Sequence, residues 1–103
     1  MTAKQPFFPH YGTNQVVAPA AASASSAISA DDKQIRVVNT GAAKGYFRTY
    51  NSNGGTTPQS ATVADCVVAA GMSTTVSMGI QHDAIAYISA TGTTFEIMTG
   101  EGF

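Results

Sequence analysis

Charge is what this sequence has least of. Five Lys or Arg and six Asp or Glu make up 11% of 103 residues, against roughly 25% in an ordinary soluble domain. A protein that stays solitary in water normally keeps a mixed charged surface. A surface built instead from Ser, Thr, Ala, Gly and Asn suits a chain that lives against other protein. The few cations, Lys4, Lys33, Arg36, Lys44 and Arg48, form no block. Nucleic-acid binding needs several phosphate-neutralising groups on one face, so it is set aside.

Cysteine and long apolar runs are scarce as well. Cys66 is the only cysteine, which rules out an intrachain disulfide framework and fits folding in a reducing cytoplasm. On a strand, such a residue is expected to be a small buried hydrophobe rather than a nucleophile. No apolar run approaches the roughly 20 residues of a membrane-spanning helix. Near the N-terminus, Pro6, Pro9 and His10 interrupt anything resembling a secretory apolar region. No membrane partner is expected.

The residue types of catalysis are equally thin. The chain has two histidines, His10 and His82. His82-Asp83 invites comparison with half of a catalytic pair, but no Ser or Thr stands out as a nucleophile. One Cys, two distant His and six carboxylates show no metal-ligand spacing. Asp31 and Asp32, being adjacent, point to opposite faces of an extended chain. Glu96 and Glu101 could be paired as acid and base, yet Gly100 and Gly102 place Glu101 in what reads as a flexible tail. The expectation is a protein without catalytic activity, cofactor or metal.

What is present divides near Asp31. No Lys, Arg, Asp or Glu occurs from Gln5 to Ala30. Pro6 to Tyr11 (PFFPHY) favours extended geometry. Gln15-Val16-Val17 has the length of a short strand before Pro19. Ala20 to Ala30 (AAASASSAISA) has two readings, a helix favoured by its alanines and weakened by its serines, or a flat strand of small residues, with the strand preferred. Residues 1–30 are therefore expected to be an extended arm, separable from a domain over 31–103. Phe7, Phe8, Tyr11, Val16 and Val17 are its candidate interface residues.

From Lys33 onwards the pattern is β. Gln34 to Asn39 puts Ile35 and Val37 on one face, and Gly45 to Tyr50 sets Phe47 and Thr49 against Tyr46, Arg48 and Tyr50. Asn51 to Pro58 is a turn-rich connection. Thr62 to Val68 can pair around Cys66, and Ser73 to Met78 alternates strictly, the mark of a half-buried strand. Asp83 to Ser89 and Thr93 to Met98 read as strands joined by a tight hairpin at Ala90-Thr91-Gly92. Phe95 and Ile97 face inward and Glu96 outward. Short strands at such spacing predict an all-β fold, a small antiparallel β-sandwich of jelly-roll-like or immunoglobulin-like connectivity with an extended N-terminal arm. Tyr46, Arg48 and Tyr50 share one face and form a candidate aromatic and arginine patch.

Three segments carry a family likeness. QIRVVNTGAAKGYFRTY resembles the apolar strand, Asn-x-Gly turn and aromatic strand of small phage virion proteins of the capsid decoration (cement) type. ADCVVAAGMSTTVSM is similar to their apolar stretch, glycine turn and alternating strand, and ATGTTFEIMTGEGF to their C-terminal hairpin closing on a Gly-Glu-Gly tail. The likeness spans roughly Gln34 to Phe103. It implies a sandwich on the outside of an icosahedral head, bridging major capsid protein subunits, with copies of itself as further partners in a dimer or trimer. A virion location after synthesis in the host cytoplasm follows. The alternatives are a tail, neck or fibre component, or a carbohydrate-binding sandwich using Tyr46, Arg48 and Tyr50.

Overall fold

The computed structural model describes residues 8–9, 12–29, 32–52, 60–78 and 82–101, with residues 8, 9 and 101 entering through their backbone alone. Among them are nine strands and no helix. These are β1 (Phe8–Pro9), β2 (Gln15–Val17), β3 (Ala24–Ala27), β4 (Gln34–Asn39), β5 (Gly45–Tyr50), β6 (Cys66–Val68), β7 (Ser73–Ser77), β8 (Ala84–Ile88) and β9 (Phe95–Glu101). The first sheet runs from β1 and β2, one after the other along the same edge of β9, through β9 and β4 to β7. The second has the order β3-β8-β5-β6. The all-β sandwich expected from the alternating pattern is the fold observed.

One long hairpin, rolled up, accounts for this order. β2 pairs with β9, β3 with β8, β4 with β7 and β5 with β6, all antiparallel. The numbers of partnered residues add to 112 for Gln15 and Ile97, 111 for Ala24 and Tyr87, 111 for Val37 and Thr74, and 113 for Phe47 and Cys66. The register therefore slips by at most two residues along the hairpin. Rolling brings β4 against β9 and β5 against β8, where Val37 meets Ile97 and Phe47 meets Tyr87. Of the two connectivities the sequence leaves open, this is the jelly roll, with its two Greek keys.

Period-two alternation decides what is inside. Ile35, Val37, Phe47, Val68, Ile85, Tyr87, Phe95 and Ile97 form the main buried cluster between the sheets, with Val17, Ile28, Val76 and Met78 packed against it. Burial of each large side chain is worth about 1.5–3 kcal/mol before ordering costs. One end of the sandwich is tied together by Asn39. Its Nδ2 donates to the carbonyls of Ala43 (2.7 Å) and Val68 (3.0 Å), and its Oδ1 accepts from Gly41 N (3.0 Å) and Thr93 Oγ1 (2.8 Å). At the other end the Thr99 hydroxyl bonds the buried Asp32 carboxylate.

Several expectations change. The separation at residue 30 does not describe 15–29, because β2 extends the first sheet and β3 the second, and Val17 reaches the core. Removing residues 1–30 would strip an edge strand from each sheet. Ala90-Thr91-Gly92 is not a hairpin: β8 and β9 lie in different sheets, so it is a crossover between them. Glu101 is not in a loose tail but ends β9 opposite Phe8. Cys66 is exposed, since it opens a short strand at the edge of its sheet, beyond which no strand pairs among the described residues. Most of the turn-rich connection falls at 53–59, outside the described residues.

Candidate functional site

The aromatic and arginine patch is taken apart by the fold. Tyr46, Arg48 and Tyr50 do share the outer face of β5, as alternation requires. Tyr50, however, is only 3% exposed, packed with Ala61, Ala84 and Ala86. The second half of the β5–β6 connection folds back over it, held where Ala61 N donates to Ser23 Oγ (2.8 Å). Arg48 is engaged with Asp65, through Nη2 at 3.0 Å and Nε at 3.1 Å. Asp65 in turn accepts from Thr62 N (2.8 Å), so this ion pair pins the 62–65 turn to β5. Two of the three groups needed for a sugar platform are thus used within the chain.

His82 and Asp83 do not form a relay. Both Asp83 oxygens are occupied by Ser52, Oδ1 by its N–H (2.8 Å) and Oδ2 by its hydroxyl (2.9 Å), while His82 Nδ1 meets Thr49 Oγ1 (2.8 Å). A triad needs the carboxylate on the imidazole; here it holds a loop instead. The Ser52 N–H first, and the Ser52 hydroxyl second, hold the Asp83 carboxyl below its ordinary value of 3.8. A depressed carboxyl stabilises the fold fully above its unfolded value and loses that contribution as pH falls through the folded one. Wild-type thermal stability should therefore fall more steeply than that of Asp83→Asn between about pH 5 and 3. Parallel curves in pH-dependent thermal melts would show that the Ser52 contacts do not favour the charged form.

Cys66 carries no activated thiol. Partial burial first, and the neighbouring Asp65 carboxylate second, push it above its ordinary value, the reverse of what a nucleophilic cysteine requires. Among the described residues no group of three or more His, Cys, Asp or Glu could hold a metal ion, and no helix is long and apolar enough to cross a membrane.

The remaining surfaces are suited to contact. Of the arm residues, Phe7 and Tyr11 lie outside the described residues and Phe8 enters through backbone only. Val17 is turned into the core, whereas Val16 is 67% exposed on the outer face of the first sheet. Beside it, Asn14, Arg36, Val38, Glu96 and Met98 line a shallow hollow of about 200 Å³. Asn14 Nδ2 donates to Glu96 Oε1 (3.2 Å) across its floor. Met98 and Arg36 are of residue types enriched at interfaces, and Val16 and Val38 add apolar area beside them.

The edges of both sheets are unusual in a different way. β2, β3, β6 and β7 read QVV, ASSA, CVV and STTVS, without one Asp, Glu, Lys or Arg. Among the described strands, charged residues sit instead on β4, β5 and β9 in the interiors of the sheets. Natural sheets usually protect their edges with charge, above all lysine. Exposed Val63, Val67 and Met72 add apolar surface around β6 and the β6–β7 turn. Reading the sequence for an arm missed this second surface, although its signal was available: no charged residue occurs from Cys66 to His82.

A scan of family models and searches of curated proteins and of solved structures return no match to this chain.

Proposed function

We propose that this chain is a structural protein of a virus particle, specifically a decoration protein of the phage-capsid type that binds the outside of the head and bridges major coat protein subunits. The observation that carries the reading is the placement of charge. Edge strands left uncharged are a liability in a free monomer and an asset in an assembled one. Jelly rolls also serve as lectin and cupin domains, so the strand order alone does not choose a function. Burial of Tyr50 and engagement of Arg48 weigh against the lectin alternative.

In this reading the outer face of the first sheet, with Val16, Val38 and Met98 around Arg36 and Glu96, lies on coat protein. Each contact is modest, because ordering and desolvation consume much of the gain. Repetition over a lattice, with each copy touching more than one coat subunit, multiplies modest contacts into lasting attachment.

The test is quantitative mass spectrometry of gradient-purified particles from the source virus, scaled to the major coat protein. A copy number comparable to the coat protein is the expected result. A few copies, or a few dozen, would move the chain to the tail, neck or fibres. Absence from particles would overturn the virion reading and turn attention to glycan binding.

A further inference from the structure

We infer that β7 is a self-pairing edge, which joins two copies of this chain about a two-fold axis through Thr75 into one continuous sheet. The inference takes the assembled-protein reading as its setting and names the surface through which copies meet.

The first argument is the phase of the hydrogen bonds. Met78 N donates to Lys33 O (2.8 Å) and Asn39 N to Met72 O (2.8 Å), in the same register as the β4–β7 ladder. Antiparallel pairing alternates, so residues 72, 74, 76 and 78 bond β4 while Ser73, Thr75 and Ser77 turn their N–H and C=O away from it. On that side no strand pairs with β7 among the described residues. The side chains of Ser73, Thr75 and Ser77 are exposed as well.

The opposite side of the sandwich is closed by comparison. There Gln15 Nε2 donates to Ala27 O (2.7 Å), which covers the outer edge of β3. Thr13 Oγ1 likewise bridges to the backbone of Thr99. The described contacts give β7 no such cover.

The second argument is self-complementarity. A two-fold through Thr75 sets Thr75 opposite its own copy and Ser73 opposite Ser77. Each of these pairs exchanges both backbone bonds, giving about six across the junction. Ser and Thr facing one another form favourable cross-strand pairs. A charged residue at position 75 would meet its own like charge across the axis, and no position of the strand carries a charge. An isologous contact of this kind closes at two copies and uses up the β7 edge of each. Met72, exposed immediately before the strand, supplies apolar surface to the same junction.

The experiment uses the purified full chain, without particles. Sedimentation equilibrium of the wild type at tens of micromolar and above should give twice the chain mass of 10.6 kDa. Thr75→Lys and, separately, Ser77→Lys should return the mass to a single chain with an unchanged β-type circular dichroism spectrum, since both side chains point into solvent. Thr75→Cys in a Cys66→Ser background should form a disulfide-linked dimer on mild oxidation, because the axis places the two thiols face to face. A single-chain mass for the wild type, a trimeric mass, or a doubled mass that survives both lysine variants would overturn the proposal. So would failure of the Thr75→Cys protein to cross-link. None of these results depends on whether the chain is found in virions, so self-pairing and the virion reading stand or fall separately.

Discussion

Asn39→Ala should lower the stability of the fold by about 3 kcal/mol, a large part of the roughly 5–15 kcal/mol available to a domain. Asn39 is 1% exposed, and its amide makes four hydrogen bonds that join the start of the β4–β5 turn, the end of β6 and the approach to β9. Its backbone adds two more, to Met72 O and from Gly71 N. Alanine would keep the backbone pair and leave the carbonyls of Ala43 and Val68, the Gly41 N–H and the Thr93 hydroxyl to find new partners. Each stranded buried group costs about 1–3 kcal/mol, less where water can enter. Asn39→Asp should be no better, because a carboxylate cannot donate to the two carbonyls. Urea unfolding monitored by circular dichroism would measure the loss; a decrease below about 1 kcal/mol would mean that solvent replaces the amide.

Gly45→Ala is the second large effect, about 2 kcal/mol or more, and it should be partly reversed by Phe95→Leu. A Cβ at position 45 would lie 2.5 Å from Phe95 Cζ and 3.0 Å from Cε1. Phe95 is fully buried at the centre of the sandwich, so its ring has no room to retreat. Ile88 O, 3.3 Å away on the neighbouring strand, blocks the other direction. Leucine at 95 shortens the side chain and removes the colliding ring edge. Alone it should destabilise by loss of buried area, but in the Gly45→Ala background it should be nearly neutral or stabilising. A double-mutant cycle would report a favourable coupling of about 1–2 kcal/mol. Additive effects would show that the strands shift to absorb the methyl group.

Much of the fold was legible in the sequence, because a strand half-buried between two sheets writes its orientation into every second residue. Phe95 and Ile97 were assigned to the core from alternation, Ile35 was put on one face with Val37, and Phe47 was set opposite Tyr46 and Arg48; the structure buries all five apolar residues. Small-residue segments gave up less. Residues 24–27 (ASSA) carry no apolar contrast, so their strand character could be read but not their pairing with β8, which depends on residues some sixty positions away.

The candidate site shows the same division. Tyr46, Arg48 and Tyr50 were placed correctly on one face, yet alternation knows nothing of a loop returning across it, and Ala61 converts the outermost tyrosine into a second small core. His82 and Asp83 carry catalytic letters, but only the approach of Ser52 reveals the carboxylate as a loop anchor. Val16 and Val17 looked alike as arm residues until pairing with β9 sent one outward and one in.

By itself, then, the sequence determined the β class, the inward faces and the scarcity of charge, all of which are local or compositional. Tertiary structure decided the jelly-roll connectivity and the identity of the edges. Those depend on which distant strands meet, and period two is the same for an edge strand as for a central one. Only the rolled hairpin shows that β2, β3, β6 and β7, all free of charge, are the strands left at the margins.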